Sequence, residues 1–424
     1  MELTVFPSRL HGTVSVPASK SDFQRACAAA LLRNGTTILQ NPGTSADDRA
    51  ALRLAVDLGL DVLLEDPGVL TVQSTGKIRP KTQTVFCGES GLATRLFIPI
   101  AALSDAKITF TGKGSLLSRP LHFFYEILPR LGVQVWGSGQ TLPLTVQGPL
   151  QSRSLVVDGS LSSQFSSGLL FAFAAAGGEV SLEVKAPVSQ PYLDMTVATL
   201  RAFGKKIIPE SNAVYRVFPE IASMPEPFSY AVESDWSSAA VWVVAAALGM
   251  DIGIQGLSLQ SRQADRALVD ILRQCGLEIS MQSGTLTTEG MAQNGFSFDL
   301  TDAPDLFPVL AVLAFSLPGK SFITGLHRLV HKESNRLLSV ADMLREGGIR
   351  FHISGNEMTI PGGQTFDPAT VSAANDHRIV MAAALSALNA RGPVTITGTN
   401  AVEKSYPAFF EDLKKLGGTF EEKG

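Results

Sequence analysis

Apolar and polar positions along the chain repeat one arrangement six times. A helical stretch with apolar faces opens after a polar cluster, and a strand follows. A second helical stretch then ends at a glycine, and a β-rich stretch containing a turn closes the unit. Glycine is the usual residue just past a helix end, because it takes up the left-handed conformation without a Cβ penalty. The six terminal glycines are Gly59, Gly132, Gly204, Gly276, Gly348 and Gly417, with separations of 73, 72, 72, 72 and 69 residues. The first helices start near Ser21, Gly91, Ser163, Ser237, Asp305 and Asn375, with separations of 70, 72, 74, 68 and 70. One glycine would mean little, but two independent landmarks share a period. That period exceeds those of the common solenoids, so each unit is a substantial α/β module.

The stretches "VQVWGSGQTLPLTVQG" and "IRFHISGNEMTIPG" read as hairpins. The most apolar run, 239–250, is too short to span a bilayer and reads as a buried helix. After Gly417 only "GTFEEKG" remains, so the last unit lacks a partner strand, and the N-terminal "ELTVF" is the candidate to supply it. The two termini then share one domain, residues 1–18 with 234–424, and residues 19–233 form an inserted domain, with crossings near Ser19 and Glu233. A chain of 424 residues is in any case too long for one core. The fold class expected is α/β, with two similar domains of three repeated α/β units each and an active site in the cleft between them.

Composition narrows the function. Apolar residues make up 45% and charged residues 17%, which excludes a disordered chain. The formal net charge of -4 argues against a nucleic-acid partner. Three cysteines, Cys27, Cys87 and Cys275, form no disulfide framework and fit a reducing cytoplasm. The start, "MELTVFPSRLHG", lacks the layout of a signal peptide. A cytoplasmic protein with no membrane partner is expected.

Informative side chains gather where the helices start. Unpaired N–H groups and the positive dipole end make a helix N-terminus a phosphate and carboxylate site. "PASKSDFQR" puts Lys20 and Ser21 at one such mouth, with Arg25 a turn further in. "CGESGLATRLF" offers Gly91, which permits close backbone approach to a ligand, and then Arg95. "DGSLSSQFSSG" offers Ser162, Ser163 and Gln164 as an uncharged phosphate cradle. A lone serine in such a place is more often a simple N-cap; three equivalent starts favour a shared site. The second helices add cations: Arg119 in "GSLLSRP", and Lys332 and Arg336 in "HKESNRL". "ANDHRIV" carries His377 and Arg378 at a first-helix start, and "VEKSYP" carries Lys404. Asp305 lies at the mouth of an apolar helix, where capping is the plain alternative. Glu333 stands between Lys332 and Arg336, where a partly dehydrated carboxylate can donate and accept protons; a surface ion pair with Lys332 is the plain alternative.

Other chemistries fit less well. "HRLVH" spaces His327 and His331 as zinc ligands on a helix, but no third ligand is evident. There is no Walker-type loop. In "GESGLA" glutamate and serine sit in the wrong positions for a hydrolase elbow.

The motifs "ASKSDFQRA", "CGESGLATR", "SLLSRPL", "DGSLSSQFSSGLL", "VSQPYLDMT", "VESDWSSAA", "APDLFP", "HKESNRL", "NDHRIVMA" and "VEKSYP" occur in this order over essentially the whole chain. Together they resemble the 5-enolpyruvylshikimate-3-phosphate synthase family, the 3-phosphoshikimate 1-carboxyvinyltransferases. The resemblance implies the enolpyruvyl transferase fold, an inside-out α/β barrel in each domain. It implies transfer of the carboxyvinyl group of phosphoenolpyruvate to the 5-hydroxyl of shikimate 3-phosphate, with release of phosphate, in the shikimate pathway to chorismate and the aromatic amino acids. It further implies a monomer that uses no cofactor and no metal. By motif match, Lys20 touches both substrates and is catalytic, while Ser21 and Arg25 hold the shikimate carboxylate. Ser162, Ser163 and Ser189 cradle its phosphate beside Gln164, and Asp305 and Lys332 contact the ring hydroxyls. Gly91, Arg119, Gln164, Arg336, Arg378 and Lys404 bind phosphoenolpyruvate. Asp305 is the base for the attacking hydroxyl, and Glu333 is the acid for the methylene carbon.

The chain departs from better-known members at four points. Leu92 stands where threonine is common, Glu89 where asparagine is, Gln190 for a frequent lysine, and Arg328 for an asparagine that touches the sugar-like ring. The alternative is the sister enzyme that transfers the same group to UDP-N-acetylglucosamine. It uses a cysteine on the loop that here spans Thr111 to Pro120 and contains none, and "SKS" replaces its lysine-asparagine pair.

Overall fold

The six repeats build six four-stranded sheets of one topology. In the computed structural model, which describes residues 1–211, 213–330 and 332–423, each sheet has an edge strand parallel to its neighbour and then two antiparallel strands. The second repeat shows the pattern in its simplest form. Thr84–Phe86 runs parallel to Ile108–Thr111, which pairs antiparallel with Leu144–Gln147, which pairs with Gln134–Gly137. A parallel pair needs a crossover and a hairpin needs only a turn. This is why each repeat reads strand, helix, strand, helix, hairpin. The second hairpin read from the sequence is His352–Ser354 with Glu357–Pro361.

The chain divides into two compact units, Ala18–Glu233 and Met1–Pro17 with the chain from Ser234 onward. The first contains α1 (Lys20–Leu31), α2 (Ala46–Asp57), α3 (Gly91–Ala101), α4 (His122–Arg130), α5 (Ser163–Ala176) and α6 (Gln190–Ala202). Every residue of α3 is buried, as expected of a helix that is apolar all round. The absence of a side chain at Gly168 lets α5 lie against the Arg95 carbonyl of α3. The sheets lie outside these helices and alternate buried with more exposed positions, as in Val69–Thr75. The helices thus form the centre and the sheets the periphery. Among the described residues every sheet keeps two edges and none closes on itself.

The unit with the termini contains α7 (Trp236–Ala247), α8 (Leu268–Gln274), α9 (Phe307–Ser316), α10 (Arg336–Glu346), α11 (His377–Leu388) and α12 (Phe409–Lys415). Its core is again three buried first helices, α7, α9 and α11, in mutual contact. The apolar run 239–250 is α7 and the turn after it.

The N-terminal strand completes the last repeat. Glu2–Phe6 lies between Val394–Thr397 and Thr419–Lys423, antiparallel to both. The strands ahead of α1 and α7 are exchanged. His11–Ser15 leads into α1 yet pairs with Asp251–Gln255, while Phe228–Ala231 leads into α7 yet pairs with Asn34–Gln40. The exchange follows from where the chain passes between units, after each strand and before its helix. Within the first unit Ser19 N–H donates to Glu233 C=O at 2.7 Å; within the other, Asp235 N–H donates to Pro17 C=O at 2.8 Å. All six terminal glycines have positive φ, from 68° to 122°.

Some local expectations need correction. Asp305 does not cap α9. It lies in a 3-10 turn, Pro304–Leu306, and no side chain caps the helix; its carboxylate is drawn to cations elsewhere. Lys332 and Glu333 precede α10 rather than lying on it, and Arg336 is its first residue. Arg119 follows the 3-10 turn Gly114–Ser118 ahead of α4, and Lys404 closes the turn Thr399–Lys404 ahead of α12. These cations collect at the approaches to the second helices or, for Arg336, at the first residue.

Candidate active site

In unit 18–233 the singled-out residues other than Arg119 sit at or near four helix starts, and hydrogen bonds link those starts. Ser19 caps α1, accepting the Asp22 N–H at 3.4 Å. Lys20, the first residue of α1, donates to Asp47 in the first turn of α2 at 3.0 Å. Ser90 caps α3 and donates to Gln24 of α1 at 3.2 Å. Arg95 of α3 donates to the Gln164 side chain of α5 at 2.7 Å, with its guanidinium 4.8 Å above the Phe165 ring. Ser162 caps α5 through the Gln164 N–H, and Ser163 is buried beside it. Ser162 is thus the N-cap, and Ser163 is the first residue of the helix.

Arg25 is fully buried. Its Nε donates to Thr196 Oγ1 at 2.9 Å, Nη1 to Ser21 C=O at 2.7 Å and Nη2 to Tyr192 C=O at 3.1 Å. Burial lowers its pKa to about 10, partly offset by Asp22. It therefore ties the first turn of α1 to α6. Ser189 starts α6 at φ 55° and ψ 46°, a left-handed conformation that costs energy for a residue with a Cβ. Such strain is commonly kept at functional positions. At Gly91, a Cβ would strike Arg119 Nη1. The absence of a side chain at Gly91 thus leaves room for the Arg119 guanidinium.

In the unit with the termini, Arg336 is the hub. Its side chain is 1% exposed and meets three carboxylates: Asp305 at 2.6 Å, Glu333 at 2.7 Å and Asp376 at 2.9 Å. Lys332 also reaches Asp305, at 3.2 Å. Burial alone would raise the Asp305 pKa; Lys332, Arg336 and Arg378 overcome it and hold the group well below the usual carboxylate range. Lys332 is itself lowered by burial and by Arg336, against the pull of Asp305 and Glu333. Glu333 pairs with Arg336, and its charge also acts on Lys332. Asp376 caps α11 by accepting the Arg378 N–H at 2.9 Å, and Ser334 donates to it at 3.1 Å. Lys404 donates to the Asn375 carbonyl at 2.8 Å. Ala374 and Asn375 both have left-handed φ, 48° and 57°, immediately before this cluster.

Asp376, Asp47 and Asp265 escaped sequence reasoning. Asp376 lies inside "NDHR", where the basic residues drew attention, and Asp47 is one of two adjacent aspartates in a capping sequence. Arg328 is lowered by burial, and Asp302 and Asp305 act in the opposite direction, so it belongs to the surroundings of Asp305. Gln190 donates to Asp194 and Tyr215. Leu92 is buried, and a Cβ at Gly114 would meet the Glu89 carboxylate. His327 lies in a 3-10 turn and contacts Asn356 through Nδ1 at 3.0 Å; His331 lies outside the described residues. Among the described residues no group of His, Cys, Asp and Glu is arranged to hold a metal ion.

The family model for EPSP synthase (3-phosphoshikimate 1-carboxyvinyltransferase) matches residues 6–413. The chain belongs to the EPSP synthase family. A 3-phosphoshikimate 1-carboxyvinyltransferase of Clostridium novyi is 33% identical over 431 residues, covering 99% of this chain and 98% of the relative. One of Halobacterium salinarum is 36% identical, covering 98% and 99%. The solved EPSP synthase of Acinetobacter baumannii superposes with a TM-score of 0.84 at 26% identity, covering 99% of both chains. The enolpyruvyl transferase NikO of Streptomyces tendae, at 16% identity and a TM-score of 0.79, shares the fold. As an EPSP synthase the chain is a transferase of the shikimate pathway that moves an enolpyruvyl group. The UDP-N-acetylglucosamine alternative is not favoured. Among the described residues no helix is long and apolar enough to cross a membrane.

Proposed function

We propose that the residues of both units serve one reaction, with the shikimate 3-phosphate contacts chiefly in unit 18–233 and the proton-transfer groups in the other. The observation that carries this reading is the buried Arg336, which holds Asp305 and Glu333, the base and acid of the scheme, on one guanidinium.

Both substrates are anions, and cations with helix N-termini offset their charge. Ser162, Ser163 and Ser189 hold the phosphate of shikimate 3-phosphate, with Gln164 beside it. Ser21 takes the carboxylate, over the positive charge of Arg25. Lys332 and Asp305 take the ring hydroxyls. Gly91, Arg119, Gln164, Arg336, Arg378 and Lys404 bind phosphoenolpyruvate, and Lys20 stands against both substrates. Glu333 gives a proton to the methylene carbon C3, which leaves C2 electron-poor. The 5-oxygen bonds to C2 while its proton passes to Asp305, giving a tetrahedral intermediate. Glu333 then takes a proton back from C3, the C2–O bond to phosphate breaks with the electron pair going to the phosphate, which takes up the proton held by Asp305, and the double bond is restored. No electrons are exchanged with an external group, so the scheme calls for no cofactor.

Asp305, held strongly ionised, is a weak base while Arg336 and Lys332 stand on it. An incoming phosphoenolpyruvate carboxylate competes for Arg336 and relieves that hold. The base is thereby strengthened only when the second substrate is present.

The test is phosphate release by the purified chain without added metal. Release only when phosphoenolpyruvate and shikimate 3-phosphate are both supplied supports the reading; release with UDP-N-acetylglucosamine as acceptor overturns it. The three cysteines are free and buried, which suits a cytoplasmic enzyme. A sedimentation mass near the 45.0 kDa of one chain would agree with a monomer, and twice that value would not.

A further inference from the structure

Asp265 lies in a 3-10 turn, Ala264–Ala267, that is fastened to the start of α7. Gln263 accepts the Trp236 N–H at 3.0 Å and donates to the Ser234 carbonyl at 2.8 Å. The Asp265 carboxylate is 1% exposed. Its Oδ2 accepts a hydrogen bond from Ser237 Oγ. Its Oδ1 is buried with no hydrogen-bond partner among the described residues. Arg378 of α11 has the complementary deficit: it is 6% exposed, and Nε and Nη1 are buried without acceptors among the described residues. The charges of Arg378, Asp305 and Asp235 all act on Asp265, so these groups are neighbours. Leaving a buried donor or acceptor unmade costs about 1–3 kcal/mol, so such groups persist where something is to fill them.

We infer that Asp265 is a positioning residue for the reaction: its unpaired oxygen is the counter-charge that orients the Arg378 guanidinium for phosphoenolpyruvate. The anionic substrate satisfies one edge of the guanidinium, and Asp265, across a bridging water, satisfies the other. Asp265 itself does not touch substrate. Burial and the neighbouring Asp305 raise its pKa to about 7, against Arg378 and Ser237, which favour the charged form. Its charge therefore changes near neutrality, and protonation releases Arg378. The inference rests on the assignment of Arg378 to phosphoenolpyruvate.

Steady-state kinetics of the full chain test it. Asp265→Asn is expected to raise the KM for phosphoenolpyruvate about tenfold, one charged contact's worth, with kcat and the KM for shikimate 3-phosphate within about twofold of the parent. In the parent that KM rises as the pH falls through about 7; in Asp265→Asn it stays high throughout. Ser237→Ala removes the donor that favours the carboxylate and moves the inflection to higher pH. An unchanged KM for phosphoenolpyruvate in Asp265→Asn, or an equal rise for both substrates, overturns the inference. If Asp265→Asn does not fold, an unmoved inflection in Ser237→Ala overturns it. Arg378→Lys separates the two levels. If it raises the KM for phosphoenolpyruvate and Asp265→Asn does not, this inference alone fails. If it leaves that KM unchanged, the assignment of Arg378 fails and takes the inference with it.

Discussion

Arg336 and Asp376 meet as a two-pronged pair: Nε donates to Oδ2 at 2.9 Å and Nη2 to Oδ1 at 3.2 Å. Both side chains are buried, at 1% and 0% exposure. Because Oδ1 also accepts the Arg378 N–H, one carboxylate fixes the side chain of one arginine and the helix start of the next. Removing one partner of a buried pair leaves an uncompensated charge, which costs about 3–5 kcal/mol. Asp376→Ala is therefore expected to lower the urea midpoint by a corresponding amount and to abolish turnover. A midpoint within error of the parent would show that Arg336 is held by Asp305 and Glu333 alone.

Glu333 is the proposed acid at the methylene carbon. Glu333→Gln keeps the shape and a hydrogen bond to Arg336 but has no proton to give. Turnover should drop by at least about 100-fold, the usual scale of a general acid-base group, while both substrates still bind in equilibrium measurements. Near-normal kcat would remove Glu333 from the mechanism.

Gly91 permits the approach of Arg119. In Gly91→Ala the new methyl group displaces that guanidinium. The KM for phosphoenolpyruvate should rise roughly tenfold, or about 1.4 kcal/mol, with the thermal midpoint little changed. A selective rise for shikimate 3-phosphate instead would place Arg119 against the other substrate.

Asp22 ties α1 to the end of its unit, accepting from Tyr230 OH at 2.7 Å and the Glu233 N–H at 2.9 Å. Burial raises its pKa from 3.8 to about 6 despite those bonds. The folded state thus holds this proton more tightly than the unfolded chain. The contribution of Asp22 to stability is best below pH 4, falls as pH rises to about 6, and is constant above that. Asp22→Asn should therefore gain stability relative to the parent at pH 8, by up to about 3 kcal/mol, and lose that advantage at pH 4. An equal difference at both pH values would exclude titration of Asp22 as the cause.

The sequence by itself determined the repeat. Helix-ending glycines and apolar periodicity are local signals, so six modules, two hairpins, the buried run 239–250 and the need of the last unit for the strand "ELTVF" were all legible. It also determined the family, because the motif order spans the chain. Tertiary structure alone decided the partners of the charged residues. A lysine or arginine looks the same in sequence whether it is solvated or buried, since its partner lies elsewhere in the chain: Lys20 is 27 residues from Asp47, and Arg336 is 40 from Asp376. The exchange of the strands before α1 and α7 was hidden for the same reason, because β pairing is set by non-local contact. So too was the part played by Asp265 and Asp376, whose significance lies in burial beside charged groups that no local spacing reveals.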